Sequence, residues 1–560
     1  MTMEKIVLGA SLGNCVHVGG VAHFLQLAER EGYTPIYLGP AIPVDDLLRE
    51  IELHHPAMVA VGYRLTPDNA RPLIAELVQK VRERGIETVW SFGGTGPVAR
   101  VAEEFDFFDY ISDGSDDIDD SLYFLRNGKK ATKDEVLPDD LVARIGAKYP
   151  YPLLRHHYGE PSVEKTVAGI REIAESRVLD VISVGPDQNT QQFYFHPEKR
   201  KPEYEGAGGV PLRTREEFEA LKAATKFGNQ PLIRCYSGTA DVFDMAQLLK
   251  DTLNNAWCAV PLCWYNKLDG RGDRDIDTSV KEAVELMRWH AERGIPVEAN
   301  EPHHWGLRDA HDVIPVVMAY LSARNAKKAG VRHYVSQYMF NVPNSLSFPM
   351  DLARVLAMIE LTESLQDDTF TLYRETRAGL PFLSADLDVA KGQLAATTYM
   401  QMAVHPHIIH VVGFCEAEHI ASPKDVIESC KIVRGVIKTC LEDQIDLVHD
   451  PRVQTRKEHL LKEARFLLSF IERFYSNYQD PLCEPAVIAD CIKRGFIDAP
   501  HIVKGGEFTG DLFTTIIGGR CVAYDRKAGR ELTERERLAH LCEKEGIPIE
   551  GLLDPAPLHA

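Results

Sequence analysis

Short apolar runs of strand length alternate with longer stretches of helical period over residues 4–125. The spacing predicts strands at Lys5–Leu8, Thr34–Leu38, Met58–Gly62, Thr88–Gly93 and Tyr110–Ile111. Between them it predicts helices at about Val21–Glu31, Pro43–His54, Pro72–Gly85 and Pro97–Glu104. Strands alternating with helices imply a parallel sheet covered on both faces, with ligands beyond the carboxyl ends of its strands. Residues 126–162 are rich in Lys, Asp and Pro and read as a linker. The alternation resumes over 163–480, with strands expected at Val178–Val184, Pro231–Cys235, Val297–Asn300, His333–Ser336, Phe382–Ser384 and Ile408–Val412. That length and rhythm predict a (β/α)8 TIM barrel, whose chemistry sits at the carboxyl ends of the strands. Residues 481–560 are expected to form a smaller appendage.

The 560 residues carry a net charge of -20, which argues against nucleic acid as a partner. No apolar run approaches the roughly 18 residues of a membrane span. Met1–Lys5 leads straight into a strand and Gly9, without a signal-peptide apolar region, so a cytoplasmic protein is expected. The eleven Cys are odd in number and form no CxxC pair or three-Cys cluster. Reduced thiols follow, rather than a disulfide framework, zinc ribbon or iron–sulfur centre. The acidic run Asp113–Asp120 reads as a solvated face. The adjacent His303 and His304 make a poor chelate and read as packing residues. His405, His407 and His410 lie near an expected strand end and read as core or capping groups.

The segment Gly13-Asn-Cys-Val-His17-Val-Gly-Gly20 lies between a predicted strand and helix. Alone it is a weak signal, because phosphate loops and plain turns share it. Further along come Tyr63-Arg-Leu65 and then Gly93-Gly94. In order and spacing, Cys15-x-His17-x-x-Gly20, Tyr63-x-Leu65 and Gly93-Gly94 resemble the cobalamin-binding domain of glutamate mutase, methylmalonyl-CoA mutase and methionine synthase. The resemblance implies a flavodoxin-like doubly wound sheet. It casts His17 as the cobalt ligand replacing the cofactor's own base, a role suited to a neutral imidazole. Gly20, Gly93 and Gly94 would leave room for the displaced nucleotide tail. Cys15 and Tyr63 stand where the family has the Asp and Ser that orient the ligand His, so the cobalt electronics are expected to differ.

The second region is similar to the catalytic, epsilon-type subunit of glutamate mutase, in order from about residue 225 to 425. The matching segments are Arg234-Cys-Tyr-Ser-Gly238-Thr-Ala-Asp241, Trp264-Tyr-Asn266, Val297-Glu-Ala-Asn-Glu-Pro302, Lys328 to Tyr338, and Glu416-Ala417. In that family arginines clamp a dicarboxylate substrate, a task suited to bidentate guanidinium pairs. Two of the clamp positions fall on Tyr236 and Asn300, and the third has no placed counterpart, although Arg271 and Arg274 lie near. The position of the acid that handles the substrate amino group is Lys328, which either meets a substrate carboxylate or is a surface Lys beside Lys327. Tyr334 and Tyr338 match two family tyrosines expected on the substrate side. Gly238 and Glu416 match contacts to the adenosyl ribose, while Val412 stands where the family has a Lys. The resemblance implies an adenosylcobalamin-dependent carbon-skeleton mutase on a small carboxylic or amino acid other than glutamate, working as a homodimer. A corrinoid methyltransferase and a non-catalytic corrinoid carrier or sensor stay open as alternatives.

Overall fold

The computed structural model describes residues 5–114, 118–129, 137–236, 238–503, 507–508, 510–549 and 551–553. Ser237, part of the acidic run (115–117) and part of the expected linker (130–136) lie outside them. The chain divides into two compact units, Met1–Glu135 and Val136–Ala560.

In the first unit five parallel strands, β1 (Ile6–Leu12), β2 (Thr34–Ile42), β3 (Met58–Tyr63), β4 (Val89–Gly94) and β5 (Tyr110–Ser112), lie in the order β2-β1-β3-β4-β5. Helices α1 (Gly19–Arg30), α2 (Val44–His54), α3 (Pro67–Arg84), α4 (Gly96–Glu103) and α5 (Ile118–Asn127) connect and follow them. This is the flavodoxin-like order, and its switch point lies where the connections diverge, between β1 and β3. One sheet face supplies Leu8, Ala10, Leu12, Val59, Val61, Tyr63, Trp90 and Phe92 to a core shared with α2, α3 and α4. By the two-residue period of a strand, the opposite face carries Val7, Met58 and Val89 at its amino end and then Gly9, Ser11, Ala60, Gly62, Ser91 and Gly93, all small, toward its carboxyl end.

The second unit is built on eight parallel strands: β6 (Leu153–Tyr158), β7 (Val181–Val184), β8 (Leu232–Cys235), β9 (Cys258–Ala259), β10 (Val297–Ala299), β11 (His333–Phe340), β12 (Thr371–Ala378) and β13 (Ile408–Val411). Their order, β8-β7-β6-β13-β12-β11-β10-β9, wraps a nearly closed barrel. Its amino-terminal end is plugged by Leu153, Val181, Leu232, Trp257, Val335, Tyr373 and Ile408. One step up each strand the interior turns ionic. Arg155 pairs with Glu375 and, at 3.5 Å, with Glu298, which also takes Arg234 (2.5 Å) and the Trp257 indole N–H (2.7 Å). Gln337 donates to Glu298 at 2.9 Å. Burial opposes charge on Glu298, but Arg234 and Arg155 outweigh it and hold the carboxyl below its ordinary range.

Three sequence expectations are corrected. β6, the first barrel strand, lies inside the expected linker 126–162, because its Arg and His face the barrel interior and disguise a strand as a polar connection. The expected strand Phe382–Ser384 begins in a 3-10 turn (Leu380–Phe382), and the true strand β12 precedes it. Residues 481–560 form no separate appendage. Leu482, Ile488, Phe496, Phe508 and Leu538 belong to the main core, and Glu534 is buried between His311 and Arg537. Among the described residues no helix is long and apolar enough to cross a membrane.

Candidate functional site

Beyond β1 the chain turns through 13–18 into α1, at the switch point of the sheet. The Ser11 hydroxyl donates to the His17 carbonyl (2.9 Å) and holds this loop to the sheet. The His17 side chain is exposed, and its Nδ1 faces the buried Cys15 sulfur at 3.8 Å. Cys15 Sγ in turn accepts the Arg64 backbone N–H (3.3 Å). A thiol is a weak partner for a ring nitrogen, far weaker than a carboxylate. The buried Tyr63 donates to Asn14 Oδ1 (3.0 Å), and Leu65, two residues on, is half-buried. The structure thus brings together Cys15, His17, Tyr63 and Leu65.

The glycines differ in what they allow. A Cβ at Gly20 or Gly93 would meet no atom within 4 Å, so both positions border open space. A Cβ at Gly9 or Gly62 would strike Leu25 (2.6 Å) or Val21 (2.8 Å), so α1 lies directly on the small face there. Gly94 is hemmed in by the Tyr63 carbonyl (3.0 Å) and Val98 (3.1 Å), which ties it to helix packing rather than to ligand space. An exposed imidazole beside open space at Gly20 and Gly93 fits a bulky flat ligand with a side arm.

In the barrel, His157, Tyr236, Asn300, Arg377 and His410 follow the ionic layer at the carboxyl ends of β6, β8, β10, β12 and β13. His157 stacks on Tyr236 (5.7 Å between rings), whose hydroxyl lies 3.3 Å from His157 Nε2. His410 packs on His157 at 4.7 Å. The short helix Glu301–Gly306 contributes His303 and His304, their rings 4.4 Å apart. Burial first, then neighbouring cations, push His157, His303, His304 and His410 well below the ordinary histidine range, so all four are neutral. Asn300 Oδ1, His303 Nδ1, His304 Nε2 and His410 Nδ1 are buried without a hydrogen-bond partner. Unmet polar atoms gathered at a barrel mouth are the signature of a polar ligand site.

Of the residues matched to the family barrel, Tyr236, Asn300, Gly238 and Glu416 lie at this end. Glu416 stands exposed on the loop after β13. Gly238 has φ 79° and its Cβ would press on the Gln191 carbonyl (2.8 Å), which already demands glycine there. Lys328, Tyr334 and Tyr338 are elsewhere. Lys328 ends the helix Val313–Lys328 at the base of the barrel and pairs with Asp480 (3.0 Å). Tyr334 and Tyr338 share one face of β11, but it is the outer one, since Val335 joins the interior plug and Gln337 the ionic layer. Tyr334 stacks on Phe370, and the Tyr338 hydroxyl bonds Thr362 Oγ1 (2.7 Å). Arg274 is engaged by Glu282 and the Tyr265 carbonyl. His157 and Arg377 escaped the sequence reading because both sit on strands it did not recognise.

No family model and no curated protein matches the chain. Among solved structures, a cobalamin-binding protein from Desulfitobacterium hafniense is 20% identical over 20% of this chain and 53% of that one, with a TM-score of 0.18. The methanol:cobalamin methyltransferase complex from Methanosarcina barkeri is 18% identical over 22% of this chain and 43% of that one, with a TM-score of 0.19. A GH138 enzyme targeting pectin rhamnogalacturonan II matches at 9% identity over 88% of this chain and 55% of that one, with a TM-score of 0.29. This chain therefore spans about half the length of each. Likenesses of this size carry no argument, and the functional reading rests on the residues.

Proposed function

We propose that this protein is an adenosylcobalamin-dependent carbon-skeleton mutase acting on a small carboxylic acid other than glutamate, and that it works as a cytoplasmic homodimer. The observation that carries the reading is His17, an exposed imidazole at the switch point of a flavodoxin-like sheet, beside open space at Gly20 and Gly93. In this reading His17 ligates cobalt, Cys15 and Tyr63 brace its loop, and the open space at Gly20 and Gly93 admits the nucleotide tail. The cofactor, when bound, supplies cobalt–carbon homolysis. The chain's own residues then do the remaining work. The neutral imidazoles, Tyr236 and Asn300 bind and orient the substrate. The enclosed barrel mouth excludes water from reactive species. Glu416 accepts the hydroxyls of an adenosyl ribose, and Tyr236 and Asn300, in place of two clamp arginines, disfavour glutamate.

The test is a titration of the full chain and of Glu416→Gln with adenosyl-, methyl- and cyanocobalamin in dim light. A charge-assisted hydrogen bond contributes about 1.5–3 kcal/mol, so the variant should lose about one to two decades for adenosylcobalamin alone. Equal losses for all three forms would instead favour a corrinoid methyltransferase. Rapid interconversion of glutamate and 3-methylaspartate by the pure protein would refute the substrate assignment.

A further inference from the structure

Among the described residues the barrel interior holds three guanidinium groups, and two of them are ion-paired. Arg155 and Arg234 share Glu298 and Glu375 in the ionic layer. The third is Arg377, near the carboxyl end of β12, in register with Met339 of β11 and His410 of β13. It faces inward: Tyr373 belongs to the interior plug, Glu375 reaches across the barrel to Arg155, and Arg377 is the next residue on that face. The residue is 8% exposed. Its Nε donates to the Ala378 carbonyl at 3.3 Å, and among the described residues no carboxylate lies within 4.0 Å of it. Burial weakens its charge, and Tyr236 is the group that most favours it.

A buried guanidinium without a counter-charge is costly, and a fold that keeps one on the wall of a ligand site is completed by an anionic ligand. The protein's own acids are otherwise engaged. Glu375 is taken by Arg155 and Gln337. Asp269 lies between Arg308 (3.8 Å) and Arg271 (4.0 Å). Glu301 accepts the backbone N–H groups of Leu262 and Cys263 and the Trp305 indole. Glu416, on the exposed rim, and Glu375 favour the Arg377 charge only from beyond ion-pair distance. The wall beside Arg377 otherwise carries the neutral polar groups of His157, His303, His304, His410, Asn300 and Tyr236, and the further cations that act on His304, Arg308 and Arg271, share Asp269.

We infer that Arg377 is the carboxylate anchor of the barrel site, and that the ligand it anchors is a small monocarboxylate. One unmatched guanidinium holds one carboxylate, bidentately where the geometry of the acid allows. A second ionised carboxylate would find neutral imidazoles, an amide and a phenol, none of which offsets a buried charge. This deepens the proposed function by naming the charge type of its substrate. It rests on that reading only for the word substrate, since the anion site stands on the barrel alone.

The experiment uses the full chain without corrinoid and three probes: butanoate, its uncharged analogue butanamide, and the dicarboxylate succinate. Binding is followed by ligand-observed NMR and calorimetry. Butanoate should bind at least ten-fold tighter than butanamide and tighter than succinate. Arg377→Gln should lose about ten- to a hundred-fold for butanoate, and Arg377→Lys should recover part of the loss. In parallel, the wild-type protein is modified with phenylglyoxal and mapped by mass spectrometry, which decides the matter even where a variant fails to fold. Saturating butanoate should protect Arg377. Unchanged modification of Arg377 in butanoate, equal binding of butanoate and butanamide, tighter binding of succinate, no binding of butanoate, or full affinity in Arg377→Gln would each overturn the inference. Because no corrinoid is present, such a failure leaves the His17 reading standing. Loss of corrinoid binding by the wild type would, conversely, leave the anion site standing.

Discussion

The two units solve the same problem in opposite ways. Each is a parallel α/β structure, and each places its chemistry beyond the carboxyl ends of its strands. In the first, the candidate ligand His17 is exposed, and space beside it comes from residues without side chains. In the second, the polar groups are buried, charged layers are paired below them, and several atoms at the mouth are left unmet. The contrast teaches what each site is built to receive. An open loop flanked by glycine suits a large flat ligand that brings its own chemistry. A closed polar wall suits a small molecule that must be held in one pose away from water.

That contrast makes its largest prediction about stability. Glu298→Ala would strip the common partner from Arg155 and Arg234, and breaking such a buried pair costs about 3–5 kcal/mol. His17→Ala, on an exposed loop, should stay within about 0.5 kcal/mol of wild type. Denaturant unfolding of both variants checks the pair, and similar values would erase the distinction. Next comes a pH effect. Burial pushes the Glu301 carboxyl up from 4.5 to about 7. The native state then holds this proton more tightly than the unfolded chain does. Its stabilisation is fully present below pH 4.5 and lost as pH rises through about 7, a swing of about 3 kcal/mol. The stability difference between wild type and Glu301→Gln should drift by that amount across the window, and a pH-independent difference would contradict it.

Two smaller tests sharpen the local picture. Gly62→Leu should overpack against Val21 and cost about 1–3 kcal/mol. Gly93→Leu should leave stability nearly intact but fill the open strip, lowering corrinoid affinity in a spectroscopic titration. The smallest effects belong to residues the barrel turns away from its mouth. Tyr338→Phe loses one buried hydrogen bond, worth about 1 kcal/mol, and Lys328→Ala loses a surface ion pair worth at most about 1 kcal/mol. Neither should change butanoate binding, and a ten-fold loss in either would return that residue to the site.

The first unit was legible in the sequence because its strands are apolar runs and its chemistry sits on loops whose residues need no partner to be recognised. All five strands lie within a few residues of their expected positions, and Cys15 faces both His17 and the Arg64 N–H that follows β3. The barrel was legible in rhythm but not in face. Arg155, His157, Glu375 and Arg377 point inward, so β6 falls in the expected linker and β12 goes unrecognised as a strand. The four-residue spacing of Tyr334 and Tyr338 placed them on one face, but which face is decided by Val335 and Gln337 packing across the barrel. Asn300 and Tyr236 were found through the family resemblance, at the positions of two clamp arginines, and both follow strand ends directly.

The central proposal is that His17 would hold the cobalt of a bound corrinoid. It is tested most directly by electron paramagnetic resonance of the reduced, cobalt(II) form of cobalamin on protein uniformly labelled with nitrogen-15. If His17 ligates cobalt, the superhyperfine splitting from the axial nitrogen changes from a triplet in unlabelled protein to a doublet in labelled protein, and His17→Ala abolishes the doublet. A triplet that persists in labelled protein would show that the cofactor keeps its own base, and the account of this chain as a His-ligated corrinoid enzyme would be wrong.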